Sequence, residues 1–219
     1  MTRIVAVLIA LVLAVSVAEA GAIHGTLFLS RAAARPDHVH DGRGVLRAQP
    51  GVGDAVIFVE KIPEKVERKL AGHGWFFLRR SSMPRLIQSG MRFMPRVMPV
   101  TVGTAVQFRN LDHVYHNAFS VSAAKPFDLG KYPPGRVDTV RFERPGVVNL
   151  HCGIHPDMIG YVVVMPNHAF ARPDSTGTFS LPRLPDGAYV VHAWHPRLGD
   201  LTERFEVPRH GDVDLQLTY

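Results

Sequence analysis

Seventeen prolines and nineteen glycines punctuate the 219 residues, and the stretches between them are short and rich in Val, Ile, Thr, Tyr and Phe. Proline lacks a backbone donor and clashes with the preceding helical turn, so long helices have little room. β-branched and aromatic runs bounded by turn residues read as short strands. Candidate strands fall at 25–29, 55–60, 75–78, 100–102, 105–109, 139–142, 147–151, 161–165, 188–194, 202–207 and 212–217. Helical spacing shows only over 62–70, through Ile62, Val66 and Leu70. The pattern predicts an all-β chain of the sandwich class. With 46% hydrophobic and 20% charged residues there is material for a core, which argues against disorder. No internal repeat is visible, and the polar stretch 32–49 reads as a loop.

Residues 1–20 read as a secretory signal: Arg3, then an apolar run over 4–17, then Ala18-Glu19-Ala20 as a small-x-small cleavage site. A spanning helix needs roughly 20 apolar residues, and this run is shorter. The expectation is cleavage after Ala20 and a periplasmic or secreted mature chain without a transmembrane segment. The single cysteine excludes an intramolecular disulfide, a four-cysteine zinc site and a dithiol couple. In an exported chain that thiol needs another use.

Its surroundings supply one. Cys152-Gly153-Ile154-His155-Pro156-Asp157-Met158 places a thiol, an imidazole and a thioether at Cys-x2-His-x2-Met spacing between two candidate strands. A tight loop of that length can turn all three toward one point. Upstream, Asn110-Leu-Asp-His-Val-Tyr-His116-Asn117 adds a further imidazole just after a strand. Two imidazoles, one thiolate and a weak axial thioether are the ligand set of a blue-copper electron-transfer site.

These residues resemble the cupredoxins. His116-Asn117, the Cys152–Met158 spacing and Gly160-x-Val-Val-Val carry the likeness, with Pro156 after the second His most similar to amicyanin. Met91-Arg-Phe-Met-Pro95, Val100-x-Val-Gly-Thr-x-Val106, Phe108-x-Asn110 and Pro145-Gly146 match the framework, so the resemblance covers roughly 74–165. The nearest look is of bacterial cupredoxin-like "methylamine utilization" proteins. It implies a Greek-key sandwich with one type 1 copper on His116, Cys152, His155 and Met158. It also implies Asn117 steadying the thiolate loop. Gly153-Ile154 departs from the usual residue-Pro pair before the second His.

Each residue has a plainer reading. A lone Cys is more often a small buried hydrophobe, and Met is a common gap-filler. His113 competes with His116 but faces the opposite side of an extended strand, and reads as a surface group. His151 also faces away from Cys152. In copper nitrite reductases a His beside the thiolate carries a second copper, which would make this chain half of an oligomeric enzyme, but that copper needs three imidazoles and no motif here positions the others. Met83, Met91, Met94 and Met98 read as core rather than as a copper-carrier surface. His24, His38, His40 and His73 show no metal spacing; His192, Trp194 and His195 read as sandwich edge and loop.

The segment from Arg172 through Gly177-Thr-Phe179-Ser-Leu181 to Gly187-Ala-Tyr189 resembles carboxypeptidase regulatory-like, transthyretin-like modules. Its 167–219 stretch is too short for a sandwich of about seven strands, and 25–29 with 54–60 resemble the module's opening strands. The expectation is a cupredoxin over 61–166 inserted into a transthyretin-like sandwich made of 21–60 and 167–219. The rival is a cupredoxin over 21–166 with 167–219 as an appendage.

The net charge of +6 is local: residues 61–96 hold nine Lys and Arg against two Glu. Concentration in one segment of an exported chain leaves no footing for nucleic acid. That segment reads as a steering patch for an acidic partner or an anionic surface, or as an ordinary solvated loop. The expected function is single-electron transfer between transient partners. In the methylamine setting these are a dehydrogenase and a c-type cytochrome, and the chain itself is no enzyme. The alternative is a copper carrier or a binding scaffold.

Overall fold

The computed structural model describes residues 21–30, 33, 51–78 and 83–219, with the side chains of 73–78 left aside. The expected signal over 1–20, nearly all of the 32–49 loop, and His38 and His40 lie outside the described residues, as does the side chain of His73. The described residues are all-β but for one α-helix and a single 3-10 turn.

Among the described residues the first strands are β1 (Ile23–Phe28) and β2 (Val56–Val59), followed by the helix α1 (Glu64–Leu78). Nine strands follow: β3 (Arg85–Gln88), β4 (Phe93–Met94), β5 (Val97–Thr101), β6 (Ala105–Asn110), β7 (His116–Ser120), β8 (Phe127–Tyr132), β9 (Val137–Arg141), β10 (Gly146–His151) and β11 (Ile159–Met165). Five close the chain: β12 (Phe170–Ala171), β13 (Thr178–Leu181), β14 (Gly187–His195), β15 (Gly199–Val207) and β16 (Val213–Thr218).

The nine middle strands make two sheets, in the orders β5-β11-β10-β7-β8 and β4-β3-β6-β9. Their inner faces share one core, with Leu86, Phe93, Val106, Phe108 and Val140 from one sheet and Val100, Ala118, Val148, Leu150, Val162 and Val164 from the other. The remaining strands make the sheets β13-β1-β16 and β12-β2-β14-β15. Strand β1 lies antiparallel to β13 and parallel to β16, and β2 is antiparallel to β14 with Val59 opposite Val191. Ile23, Leu27, Ile57, Val59, Phe179, Val191, Phe205 and Leu217 form that second core.

Both β2 and β11 read as unbroken apolar runs because they are buried on both faces. Successive side chains point to opposite sides of a strand. On β11, Val162 and Val164 enter the middle core, while Tyr161, Val163 and Met165 face the outer strands. On β2, Ile57 and Val59 enter the second core, while Val56 and Phe58 meet β11. Trp194 packs its ring on Tyr161, centroids 5.4 Å apart, and Arg96 lies 5.9 Å over the Tyr161 ring while its guanidinium holds Asp54 at 2.9 Å.

Three sequence expectations are corrected. The predicted strand at 75–78 is the last turn of α1, which begins at Glu64. Val66 and Leu70, with Ile62 just before the helix, seat it on the second core, and tertiary burial extends it beyond what local spacing shows. Glu67 fastens it, accepting the His168 backbone N–H at 2.9 Å and holding the ring at 2.6 Å. His192, Trp194 and His195 belong to β14, an interior strand between β2 and β15, and His195 is 1% exposed. Of the four methionines expected in the core only Met98 is buried; Met83, Met91 and Met94 are 41%, 55% and 48% exposed. Met91 occupies a turn and Met94 the outward side of a two-residue strand, where alternation sends only Phe93 inward.

Candidate metal centre

The antiparallel pair β10–β11 holds the loop over Cys152–Met158, with His151 opposite Ile159 at its base. The Met158 N–H donates to the His155 carbonyl at 3.0 Å and closes the loop on itself. Gly160 opposes Leu150 just beyond it, and a Cβ there would lie 2.8 Å from the Phe93 Cβ, so glycine lets β4 close over the loop's foot. Strand β7 begins at His116 and pairs with β10 through Phe119 and His151, which brings the upstream imidazole beside the loop.

Three donors meet there. The Nδ1 atoms of His116 and His155 are 3.1 Å apart, and the Cys152 Sγ lies 4.0 Å from the first and 3.7 Å from the second. Donor–metal bonds of about 2.0–2.3 Å at tetrahedral to trigonal angles set neighbouring N and S donors roughly 3.3–3.8 Å apart. The observed 3.1, 3.7 and 4.0 Å bracket that range, so the three donors are close enough to share one ion. Among the described residues this is the one group of three His, Cys, Asp or Glu donors close enough to share one. Met158 is 1% exposed and shares the apolar cluster that holds Cys152. His116 and Cys152 are buried and His155 is partly exposed, so the group opens to solvent at His155.

The orientation of His116 comes from Asp112, a residue absent from the sequence reading. Asp112 Oδ2 accepts from His116 Nε2 at 2.8 Å and from the Met91 N–H at 2.9 Å, and Oδ1 accepts the Gly90 N–H at 2.6 Å. A proton on Nε2 leaves Nδ1 as a bare lone pair aimed at Cys152 and His155, the tautomer a metal requires. Burial pushes the Asp112 carboxyl upward, but the Met91 N–H, His116 and the Gly90 N–H outweigh it and hold the group below its ordinary value. Gly90 and Met91 both have positive φ, at 60° and 54°. For Met91 that is a strained conformation, and it aims the N–H at the carboxylate. Only part of the signal lies in Asn110-x-Asp112-x3-His116, a carboxylate four residues before an imidazole; the hold on Gly90 and Met91 is a contact across more than twenty residues.

Asn117 spans the same region. Its Oδ1 accepts the Gly153 N–H at 3.1 Å and its Nδ2 donates to Asp128 at 2.7 Å, tying β7 to the residue after Cys152. Behind it the buried Tyr132 hydroxyl donates to Gln88, whose Nε2 donates to the Asn117 carbonyl at 3.1 Å. Burial pushes the Tyr132 hydroxyl pKa well up, so it stays a donor. His113 is exposed, His24 bonds Ser180 at 2.9 Å, and His151 packs on Phe119 at 5.6 Å outside the donor group.

No family model matches the chain, and no curated protein is similar to it. Solved structures that it resembles include a Cu-containing nitrite reductase from Thermus scotoductus, at 30% identity over 38% of this chain and 22% of that one, TM-score 0.36. A reduced amicyanin mutant matches at 24% identity over 38% of this chain and 82% of that one, TM-score 0.36. A purple cupredoxin from Nitrosopumilus maritimus matches at 28% identity over 37% of this chain and 98% of that one, TM-score 0.34. The chain spans about a fifth of the nitrite reductase, and the shared part is little more than a third of this chain.

Proposed function

We propose that the chain is an exported electron carrier holding one type 1 copper on His116, Cys152, His155 and Met158. The observation that carries this reading is the convergence of two Nδ1 atoms and one Sγ within 3.1–4.0 Å of one another. Soft thiolate with imidazole selects copper over hard cations, and bound there it would supply a one-electron Cu(I)/Cu(II) couple. The protein's part is to hold the donors still. Asp112 fixes the His116 ring, Asn117 fixes the backbone beside Cys152, and Met158 and its neighbours keep water from the sulfur. Little then has to move when an electron arrives.

His155, the partly exposed member, serves as the port. Leu111, Val114 and Tyr115 on the loop that enters β7, and Met91 on the turn that binds Asp112, are 44–58% exposed. They offer an apolar rim for brief docking. The partners of this reading are redox proteins, a dehydrogenase as donor and a c-type cytochrome as acceptor in methylamine oxidation, met in the periplasm. Among the described residues no helix is long and apolar enough to cross a membrane. Lys61, Lys65, Arg68 and Lys69 on or beside α1 are exposed and would steer an acidic partner or an anionic surface. The reading also takes 21–60 and 167–219 as one transthyretin-like sandwich interrupted by 61–166, supported by the pairing of β1 with β13 and β16 and of β2 with β14. On this reading the chain turns over no substrate.

The exposed Met83, Met91 and Met94 favour a second reading, a carrier that hands on Cu(I). An optical spectrum of the copper-loaded protein separates them. Electron transfer requires an intense visible thiolate-to-copper band that disappears in Cys152→Ser. A colourless protein that gives up Cu(I) readily to a chelator supports the carrier, and two coppers per chain would point to an enzyme half-site through His151.

A further inference from the structure

Away from the donor group, a groove of about 510 Å³ runs between the two sandwiches. Phe58, Val147, Met165 and Trp194 form its apolar walls, and Glu60, His192 and Asp200 lie at its polar end. The volume falls in the range of small-molecule sites, which are apolar with a few placed polar groups.

The polar end has more acceptors than donors. His192 Nδ1 lies 2.9 Å from Asp200 Oδ2 and 3.2 Å from Thr202 Oγ1. The Thr202 hydroxyl is itself donated to Asp200 at 3.1 Å, so the proton between ring and carboxylate sits on Nδ1. That leaves Nε2 as an acceptor. It is buried, has no hydrogen-bond partner, and faces Glu60 Oε2 at 3.7 Å. With the ring neutral, Nε2 and Glu60 Oε2 are two acceptors facing each other, and two carboxylates flank one ring. Lys61 is 4.0 Å from Glu60 and 90% exposed, a pair of little strength. The ring itself is fixed, stacked on Phe58 at 4.9 Å with 9° between the planes.

From this complementarity we infer that the groove is a binding site for a small organic cation, a primary ammonium on a flat apolar body. The ammonium N–H groups supply the missing donors at Glu60 and Asp200, and the body lies along Phe58, Val147 and Trp194. The inference does not depend on copper, since none of these residues belongs to the donor group.

The test is titration of the full chain, copper-free, with 2-phenylethylammonium, followed by calorimetry and by the Trp194 and His192 ring signals in NMR. Saturable binding is expected. It should be at least tenfold weaker for 2-phenylethanol, the neutral match, and for the double variant Glu60→Gln/Asp200→Asn. Both replaced groups are near half exposed, so the variant should keep the parent's circular dichroism and melting point. If that variant fails to fold, the amine–alcohol comparison on the native chain decides alone. Equal binding of amine and alcohol overturns the inference and leaves an unselective apolar crease. Absence of saturable amine binding overturns it too.

Discussion

Asp112 and His116 are joined at 2.8 Å, carboxylate to Nε2, four residues apart on the loop that enters β7. A full anion behind a ligand imidazole makes the ring a stronger donor and stabilises the more highly charged metal state. On the proposed reading of His116 as a copper ligand, the pair sets both affinity and potential. Asp112→Asn should lower Cu(II) affinity by about 10–100-fold, the usual cost of removing such a partner. Cu(I) should be weakened less, and each tenfold difference between the states raises the reduction potential by about 59 mV. Competitive chelation and spectroelectrochemistry read both quantities. An unchanged potential in a folded, copper-loaded variant would show that Asp112 braces only the turn at Gly90 and Met91.

Gly160→Ala tests how closely β4 must approach the ligand loop. The new Cβ would meet the Phe93 Cβ at 2.8 Å and its ring at 3.1 Å, and Phe93 has no free space in the core. Overpacking of this kind costs about 1–3 kcal/mol, with Tm falling roughly 2–4 °C per kcal/mol in a chain of this size. Because Gly160 follows Met158 by two residues, the visible spectrum should shift as well. A variant with parental Tm and spectrum would show that Phe93 gives way freely.

What the sequence disclosed and what it hid follow from range. The spacing of Cys152, His155 and Met158 is local, and a hairpin loop that short leaves its side chains few directions, so the group could be read from one line of residues. Asp112 was hidden because its role depends on where Gly90 and Met91 fold back, a contact across more than twenty residues. Strand β7 was missed for a related reason. His116, Asn117 and Ser120 are polar, yet all are buried, because the donor group and its supports take the place of apolar side chains. The exposed Met91 and Met94 violated the expectation that Met fills cores, since a tight turn and a two-residue strand leave only Phe93 facing inward. His192 and His195 looked peripheral because nothing in β14 itself reveals that β2, more than 130 residues earlier, covers its flank.

His195 should impose a pH dependence on stability. Its ring is 1% exposed, its Nδ1 accepts the Arg197 N–H at 3.2 Å, and burial holds its pKa below the ordinary 6.5. An unfolded chain takes up that proton near pH 6.5 while the folded chain resists it. Between 6.5 and the lower folded pKa the unfolded state binds more protons, so stability falls as pH falls. The slope from this one group stays below the one-proton limit of about 1.4 kcal/mol per pH unit. It is absent above that window and flat below the folded pKa. Denaturant melts from pH 7.5 to 5 should show a decline that His195→Gln flattens; an equal slope in both proteins would assign the effect elsewhere.

Trp194 provides the test of how firmly the two sandwiches are coupled. Its ring packs on Tyr161 and joins Val56, Val97, Val163 and Met165 between β2 and β11. Truncating a large aromatic in a packed site costs about 3–5 kcal/mol when fully buried, and Trp194 is only partly so, which puts Trp194→Ala near the lower end. The distinguishing quantity is cooperativity. In the parent, β2 and β11 are each buried on both faces, so neither sandwich loses its partner without exposing apolar strands, and a single unfolding transition is expected. With the ring removed, the contact retains the Arg96–Asp54 pair at 2.9 Å and a thinner apolar layer. Calorimetry of the variant should then resolve two transitions, the donor-bearing sandwich identified by its response to added copper. A variant that loses stability yet still melts in one step would place the coupling in the doubly buried strands rather than in the Trp194–Tyr161 contact.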